Sequence, residues 1–393
     1  MRGFLCLLCL LAGPAMAEDS TTSGMIAARG LGATQQHLQD SPADPSRDMA
    51  LGAVTFLRGL EDAWQARWRI GATDPLIPAP ILGTALPANP APEPMRASFV
   101  NDLSRELRQA MQDSRAALQS DDPDAALILR LDDLWLDVDA DGRRGPSESL
   151  TALAGFPSAS EGATIRFDHA DIAWLRAYTH LIEAMATLTL AFDPQPALQR
   201  TIDLQTEISR QFAEPPGQMA RAPNMHMQAR AFGPTADRLA VVIQTLRQQP
   251  DPDLIADTDA QLRQMIAENR LFWDRVRQEQ DNDREWIPND AQQAALGFAL
   301  PQGTGPAWLA VLDAAQDMLD GRQLIPFWRL APGHGVDLSL WIKDPQPVDL
   351  VGWVQGSAAL PYLRQGLTLG GDVFENVTQM FGARTGMYMV LLN

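Results

Sequence analysis

The sequence predicts a mainly α fold, one large helical domain with a few short strands. Three observations predict it: apolar residues recur three or four apart over long stretches, period-two alternation is confined to short segments, and proline-rich joints separate the helical ones. Met49 to Arg69 places Leu51, Val54, Leu57, Leu60, Trp64 and Trp68 on one helical stripe. Asn101 to Leu118 repeats the pattern with Leu103, Leu107, Met111 and Leu118. Ala170 to Ala191 is apolar on nearly every side, as a buried helix would be. Asp237 to Leu246, Ala256 to Gln278 and Pro306 to Leu319 also have helical spacing. Strands are expected where Leu127, Leu129 and Leu131 alternate with Ile128, Arg130 and Asp132, at Ala163 to Phe167, and at Met387 to Leu392. The longest joint, Pro75 to Pro94, carries seven prolines and is expected to be extended and exposed. A weak boundary falls at Pro215 to Pro223, and no repeat of fixed period divides the chain.

The first residues, Met1-Arg2-Gly3, precede the apolar run Phe4 to Leu11 and the small-residue signal Ala15-Met16-Ala17. This pattern predicts an export leader at residues 1 to 17, removed after Ala17 to leave a helical body of 18 to 393. The expected destination is periplasmic or secreted. Both cysteines, Cys6 and Cys9, lie inside the leader, so the mature chain is expected to have no disulfide, thiolate zinc site or cysteine nucleophile. The formal net charge of -18 argues against electrostatic binding of nucleic acid or anionic membranes, and suits cation binding and solubility. The most apolar later stretch, Ile172 to Phe192, is interrupted by Arg176, His180 and Glu183, so no membrane span is expected after leader removal.

One segment carries a specific chemistry. Asp137-Val138-Asp139-Ala140-Asp141-Gly142-Arg143-Arg144-Gly145-Pro146-Ser147-Glu148 fits D-x-[DN]-x-[DN]-G-x5-E without a gap. Calcium is a hard cation that needs several oxygens at once. Asp137, Asp139 and Asp141 offer carboxylates at alternate positions, and Gly142 permits the sharp turn between them. Arg143 can offer its backbone carbonyl, and Glu148 can close the shell with two oxygens. An acidic Asp-Gly turn is the plainer reading of the same residues. The segment resembles an EF-hand-type calcium-binding loop over these twelve residues. That resemblance implies calcium as the cofactor, with those five residues as ligands. It departs from the family at Arg144, where an aliphatic residue is usual, and in an entering segment, Ala125 to Leu136, that reads as extended. No second such loop occurs in the sequence, so a lone structural site with a dissociation constant of roughly 10⁻⁵ to 10⁻³ M is expected.

Other constellations are weaker. Arg176, His180 and Glu183 share one face of the 170 to 191 helix, as an internal polar network or as the wall of a site. An exported enzyme, a hydrolase for example, would use that stripe for acid/base chemistry and is the alternative to a calcium-binding protein. Met225, His226 and Met227, with Met219 nearby, suit copper by ligand type and packing by frequency. Ser357 lacks the second glycine of a nucleophile elbow. The stretches Phe167 to Arg176 and Asp349 to Leu363 resemble, in outline, parts of an uncharacterised family of exported bacterial proteins, a resemblance that implies no activity.

Overall fold

In the computed structural model, which describes residues 21–72, 84–154, 162–212, 223–382 and 385–392, the protein is mainly α. The chain opens with α1 (Thr22–Asp40), α2 (Pro45–Arg69) and α3 (Phe99–Ala117), then β1 (Leu127–Arg130), the short α4 (Leu150–Ala154) and β2 (Thr164–Phe167). The long α5 (His169–Ala191) follows, then α6 (Gln195–Phe212), α7 (Pro223–Leu246), α8 (Pro252–Val276) and α9 (Thr304–Leu319). The last part holds β3 (Ile325–Pro326), β4 (His334–Val336), α10 (Leu338–Lys343), α11 (Leu350–Gln355), β5 (Leu363–Gln365), α12 (Gly371–Phe381) and α13 (Thr385–Leu391). β1 and β2 pair antiparallel, Leu127 opposite Phe167, and β4 lies between β3 and β5 in a second small antiparallel sheet.

Caps set where the long helices begin. Asp44 accepts from the Arg47 amide at 3.0 Å, and Pro45 supplies a preset first helical residue for α2. Asp251 and Pro252 do the same for α8, with Asp251 accepting from Asp253 and Leu254. At the head of α5, Asp168 accepts from the Ala170 amide at 2.9 Å while Asp171 accepts from the Asp168 amide at 3.0 Å, a reciprocal capping box.

The core is built around α5 and α8, which pack on each other more intimately than any other pair of elements. α3 lies on α5, and α2 lies on α3. The α2–α3 approach depends on glycine. A Cβ at Gly52 would fall 2.4 Å from Leu118 Cγ, and one at Gly59 would fall 2.6 Å from Ala110 Cβ. Ser114 Oγ uses that closeness to donate to the Gly52 carbonyl at 2.8 Å. The main apolar cluster draws on residues from Ile26 to Leu392 and includes Trp64, Met111, Ile172, Tyr178 and Phe272, with two smaller clusters around Phe192 and around Tyr362.

Between α5 and α8 the chain makes an excursion, α6 packing on α7. The excursion is stitched at its base. Asp251 donates its amide to the Ala191 carbonyl at 2.9 Å, and Gln248 Nε2 donates to the carbonyls of Phe192 and Asp193 at 3.2 and 2.8 Å.

Several sequence expectations meet a definite outcome. β1 keeps the predicted alternation, Leu127 and Leu129 buried and Ile128 and Arg130 exposed. The strand expected at Met387 to Leu392 is instead the helix α13. Among the described residues no neighbouring strand edge takes it up; Tyr388 stacks on Phe381 at 4.4 Å, and the freed carbonyls of Leu391 and Leu392 accept from Trp174 and Asn269 at 2.9 and 2.8 Å. The described part of the proline-rich joint, from 84 onward, is irregular but not free. Thr84 O accepts from Arg67 at 2.9 Å, Arg69 O accepts from the Glu93 amide at 2.8 Å, and Leu86 is buried. The leader at 1 to 17 lies outside the described residues, as does 215 to 222 of the weak boundary. Met225, His226 and Met227, expected in a loop, fall in the first turns of α7, and their side chains lie outside the described residues. Among the described residues no helix is long and apolar enough to cross a membrane.

Candidate metal site

The acidic loop is closed at its neck before any ion is considered. Trp135 and Ser149 form an antiparallel bridge, flanked by Leu136 N–H to Glu148 O and Leu150 N–H to Leu134 O, both 2.9 Å. The entering segment is therefore strand and 3-10 turn (Leu131–Asp133), as its sequence suggested, and the leaving segment is only the five-residue α4. The neck is anchored on both N-terminal helices. Trp135 Nε1 donates to the Ile26 carbonyl at 2.7 Å, beside a kink in α1 at Gly30, whose φ of 77° and proximity to the Trp135 ring both suit glycine. The Asp137 amide donates to Glu61 of α2 at 2.9 Å, and Gln65 Nε2 donates to the Asp137 carbonyl at 2.6 Å.

Within the loop, two residues adopt left-handed backbone, Ala140 (φ 59°) and Gly142 (φ 74°), and fold the chain back on itself. The fold brings one carboxylate oxygen from each of Asp137, Asp139 and Asp141 within 4.8 Å of the others. Backbone amides point at the same carboxylates. Asp137 accepts from Asp141 and Gly142 at 3.1 and 3.0 Å, Asp139 from Asp141 at 3.2 Å, and Asp141 from Arg143 at 2.7 Å. Three like charges this close repel by about 1 kcal/mol per pair even in water. The donor set, hard oxygens from alternate positions, fits a divalent oxygen-seeking ion.

Glu148 is placed differently. It is buried, its Oε1 accepts from the Val138 amide at 2.7 Å, and its Oε2 accepts from the Gly145 amide at 2.6 Å. Burial pushes its carboxyl up and those amides pull it back. Three of the five expected ligands are thus together, Glu148 sits on backbone amides of the same loop, and Arg143 contributes its amide to Asp141.

The polar stripe on α5 resolves into three separate pairings. Arg176 donates to Glu268 of α8 at 3.0 and 2.8 Å and to the Leu118 carbonyl at 3.3 Å. His180 Nδ1 lies 2.6 Å from Gln261 Oε1, and burial lowers the affinity of its ring for a proton. Glu183, fully buried, accepts from Gln112 at 2.6 Å and from Arg115, with Arg108 at 3.5 Å. The stripe laces α5 to α3 and α8, and none of its three residues lines the large cavity on the far face of α5.

A second group of acids was invisible to local spacing. Asp168, Glu279 and Glu285 bring carboxylate oxygens within 4.8 Å of one another, with Asp171 close behind. The run Glu279-Gln280-Asp281-Asn282-Asp283-Arg284-Glu285 is readable as an acidic stretch, but nothing in it announces Asp168 as a neighbour. Arg166 reaches Asp168 at 3.3 Å and Asp283 at 3.8 Å, too little positive charge for the group. Burial and the Asp168 charge push Glu279 up to about 7, Glu285 is raised by burial and by Asp168 and Asp281, and Asp171 is raised by burial and Asp168. Glu279 in the folded chain therefore keeps its proton to about 7, against an ordinary 4.5. The stability this contributes is complete below 4.5 and is lost as pH rises through about 7. Urea unfolding between those pH values should show falling stability, with a shallower fall in Glu279→Gln; an identical fall in the variant would remove Glu279 as the cause.

No protein-family model matches the chain, and no curated protein or solved structure is similar to it. The fold and the loop describe a mainly α protein with an acidic cluster that could hold a metal ion.

Proposed function

We propose that the protein is an exported calcium-binding protein in which the ion is structural. The observation that carries this reading is the convergence of the Asp137, Asp139 and Asp141 carboxylates across two left-handed turns. Calcium would be held by these three, by the Arg143 carbonyl and by Glu148, which would exchange its amide bonds for the ion. The ion would supply positive charge where three carboxylates crowd. The anchoring of the neck on Ile26, Glu61 and Gln65 supports a structural role, because stiffening the loop stiffens a junction between α1, α2 and the β1–β2 pair. The bridge and the short α4 supply no pair of long helices to swing apart, which favours a clip over a sensor. Export rests on the leader pattern of residues 1 to 17.

The direct test is calorimetric titration of chelator-treated mature protein with calcium. A single site in the tens of micromolar to millimolar range is expected, absent from Asp139→Ala. No heat up to that range would leave the loop as an acidic turn.

A further inference from the structure

On the face of α5 opposite the polar stripe lies a cavity of about 520 Å³, within the size range of small-molecule sites. Its walls come from α2, α5, the β1–β2 pair and the neck of the acidic loop, through Leu134 and Leu150. The lining is mostly leucine and aromatic carbon. Phe56, Tyr178, Trp174, Trp286 and Phe167 form an unbroken chain of ring contacts along it, each ring centroid 5.4 to 5.9 Å from the next. Protein interiors are close-packed, and a space this large and apolar is poorly suited to water. It is suited to an apolar ligand.

One lining residue breaks the pattern. Asp171 is the only carboxylic acid among the described residues that form the wall, and it is buried. Behind it stand Asp168, Glu279 and Glu285, so that end of the cavity is acidic. An anion entering there meets these acids, while the guanidinium of Arg166 is turned to Asp168 and Asp283. A cation meets complementary charge, with electron-rich ring faces along the way. We propose that this cavity binds a small apolar amine, its charged nitrogen on the Asp171 carboxylate and its hydrocarbon body among the aromatic rings. The site is distinct from the carboxylates of the acidic loop, although it shares Leu134 and Leu150 of the loop's neck.

Burial and Asp168 keep a proton on Asp171 to higher pH than on an ordinary aspartate. An ammonium entering from water therefore displaces that proton to solvent, whereas a neutral amine takes it directly; both routes end in the same ammonium–carboxylate pair. Amine binding should accordingly strengthen as pH rises from the acid side, and buffers of different ionisation enthalpy should report proton release.

The test uses the whole protein and three probes of one shape: phenylpropylamine, phenylpropanol and phenylpropionate, titrated by calorimetry and by tryptophan fluorescence. The amine is expected to bind about tenfold more tightly than the alcohol, through a charge-assisted contact, and the carboxylate least. Asp171→Asn should bring amine and alcohol to equal affinity. Because Asp171 also caps α5, a second variant stands apart from it: Ala53→Phe fills the cavity from α2 and should abolish binding of the amine while keeping native circular dichroism. Equal or tighter binding of the alcohol or the carboxylate to the native protein would overturn the proposal. So would amine binding that survives a well-folded Ala53→Phe, or no binding of any probe.

Discussion

Glu183→Ala is expected to lower stability by about 3–5 kcal/mol, the usual result of removing one member of a buried ion pair. Glu183 is fully buried on α5, and its carboxylate takes hydrogen bonds from Gln112 and Arg115 of α3. Arg108 keeps Asp257 at 2.6 Å when Glu183 is lost, but Arg115 is left enclosed without its partner. The loss comes from that stranded charge and not from the intrinsic worth of the pair. Glu183→Gln, which keeps the shape and an acceptor, should therefore lie between wild type and Ala. Replacing Glu183 and Arg115 together by apolar residues should recover much of the difference. Urea unfolding of the four proteins is the measurement. A loss under about 1 kcal/mol for Glu183→Ala would place the pair among solvated surface ion pairs.

Calcium is expected to raise the melting temperature, and Asp137→Ala or Asp139→Ala to abolish the rise. An ion that binds the folded loop and not the unfolded chain stabilises by mass action, about 2.7 kcal/mol at a hundredfold excess over the dissociation constant. Magnesium should do less, because it demands a tighter octahedron and releases water reluctantly. Glu148→Ala should remove the rise as well, but with a second effect. Its carboxylate holds the Val138 and Gly145 amides, so this variant should melt earlier even in chelator. Asp139 accepts only from the neighbouring Asp141 amide, at 3.2 Å, so Asp139→Ala is the cleaner probe. An unchanged melting temperature at millimolar calcium would count against the ion.

What the sequence showed of the fold follows from range. The long amphipathic helices were legible because their signal is periodic and local; their true starts, Pro45 and Pro252, lie four residues before the expected Met49 and Ala256, where Asp44 and Asp251 cap them. α1 was missed: its run is interrupted at Gly30, where the helix kinks around Trp135. The terminal segment from Met387 carried a short apolar run that fits strand or helix equally, and its contacts with Phe381, Trp174 and Asn269 decided for helix. The glycines of α2 gave no sign of their purpose, since the need for them lies in Leu118 and Ala110 of another stretch of chain. The same division holds for the sites. The aspartates of the loop are close in sequence and meet in space, so spacing found them. The amides that hold Glu148, the partners of Arg176 and Glu183, and the meeting of Asp168 with Glu279 and Glu285 depend on tertiary packing.

The stitched base of the α6–α7 excursion gives the chain a place to grow. Departure and return are joined by the Asp251 amide on Ala191 and by Gln248 on Phe192 and Asp193, so the register of α5 on α8 is held at the base of the excursion. A flexible insertion within the excursion changes the closure entropy only logarithmically, about 0.6 kcal/mol for each doubling of its length. Over generations of insertion and deletion such an arm can lengthen, shorten or acquire a new tip while the core stays in register. It is also where a tag or a reporter domain can be grafted with least disturbance to the rest of the molecule.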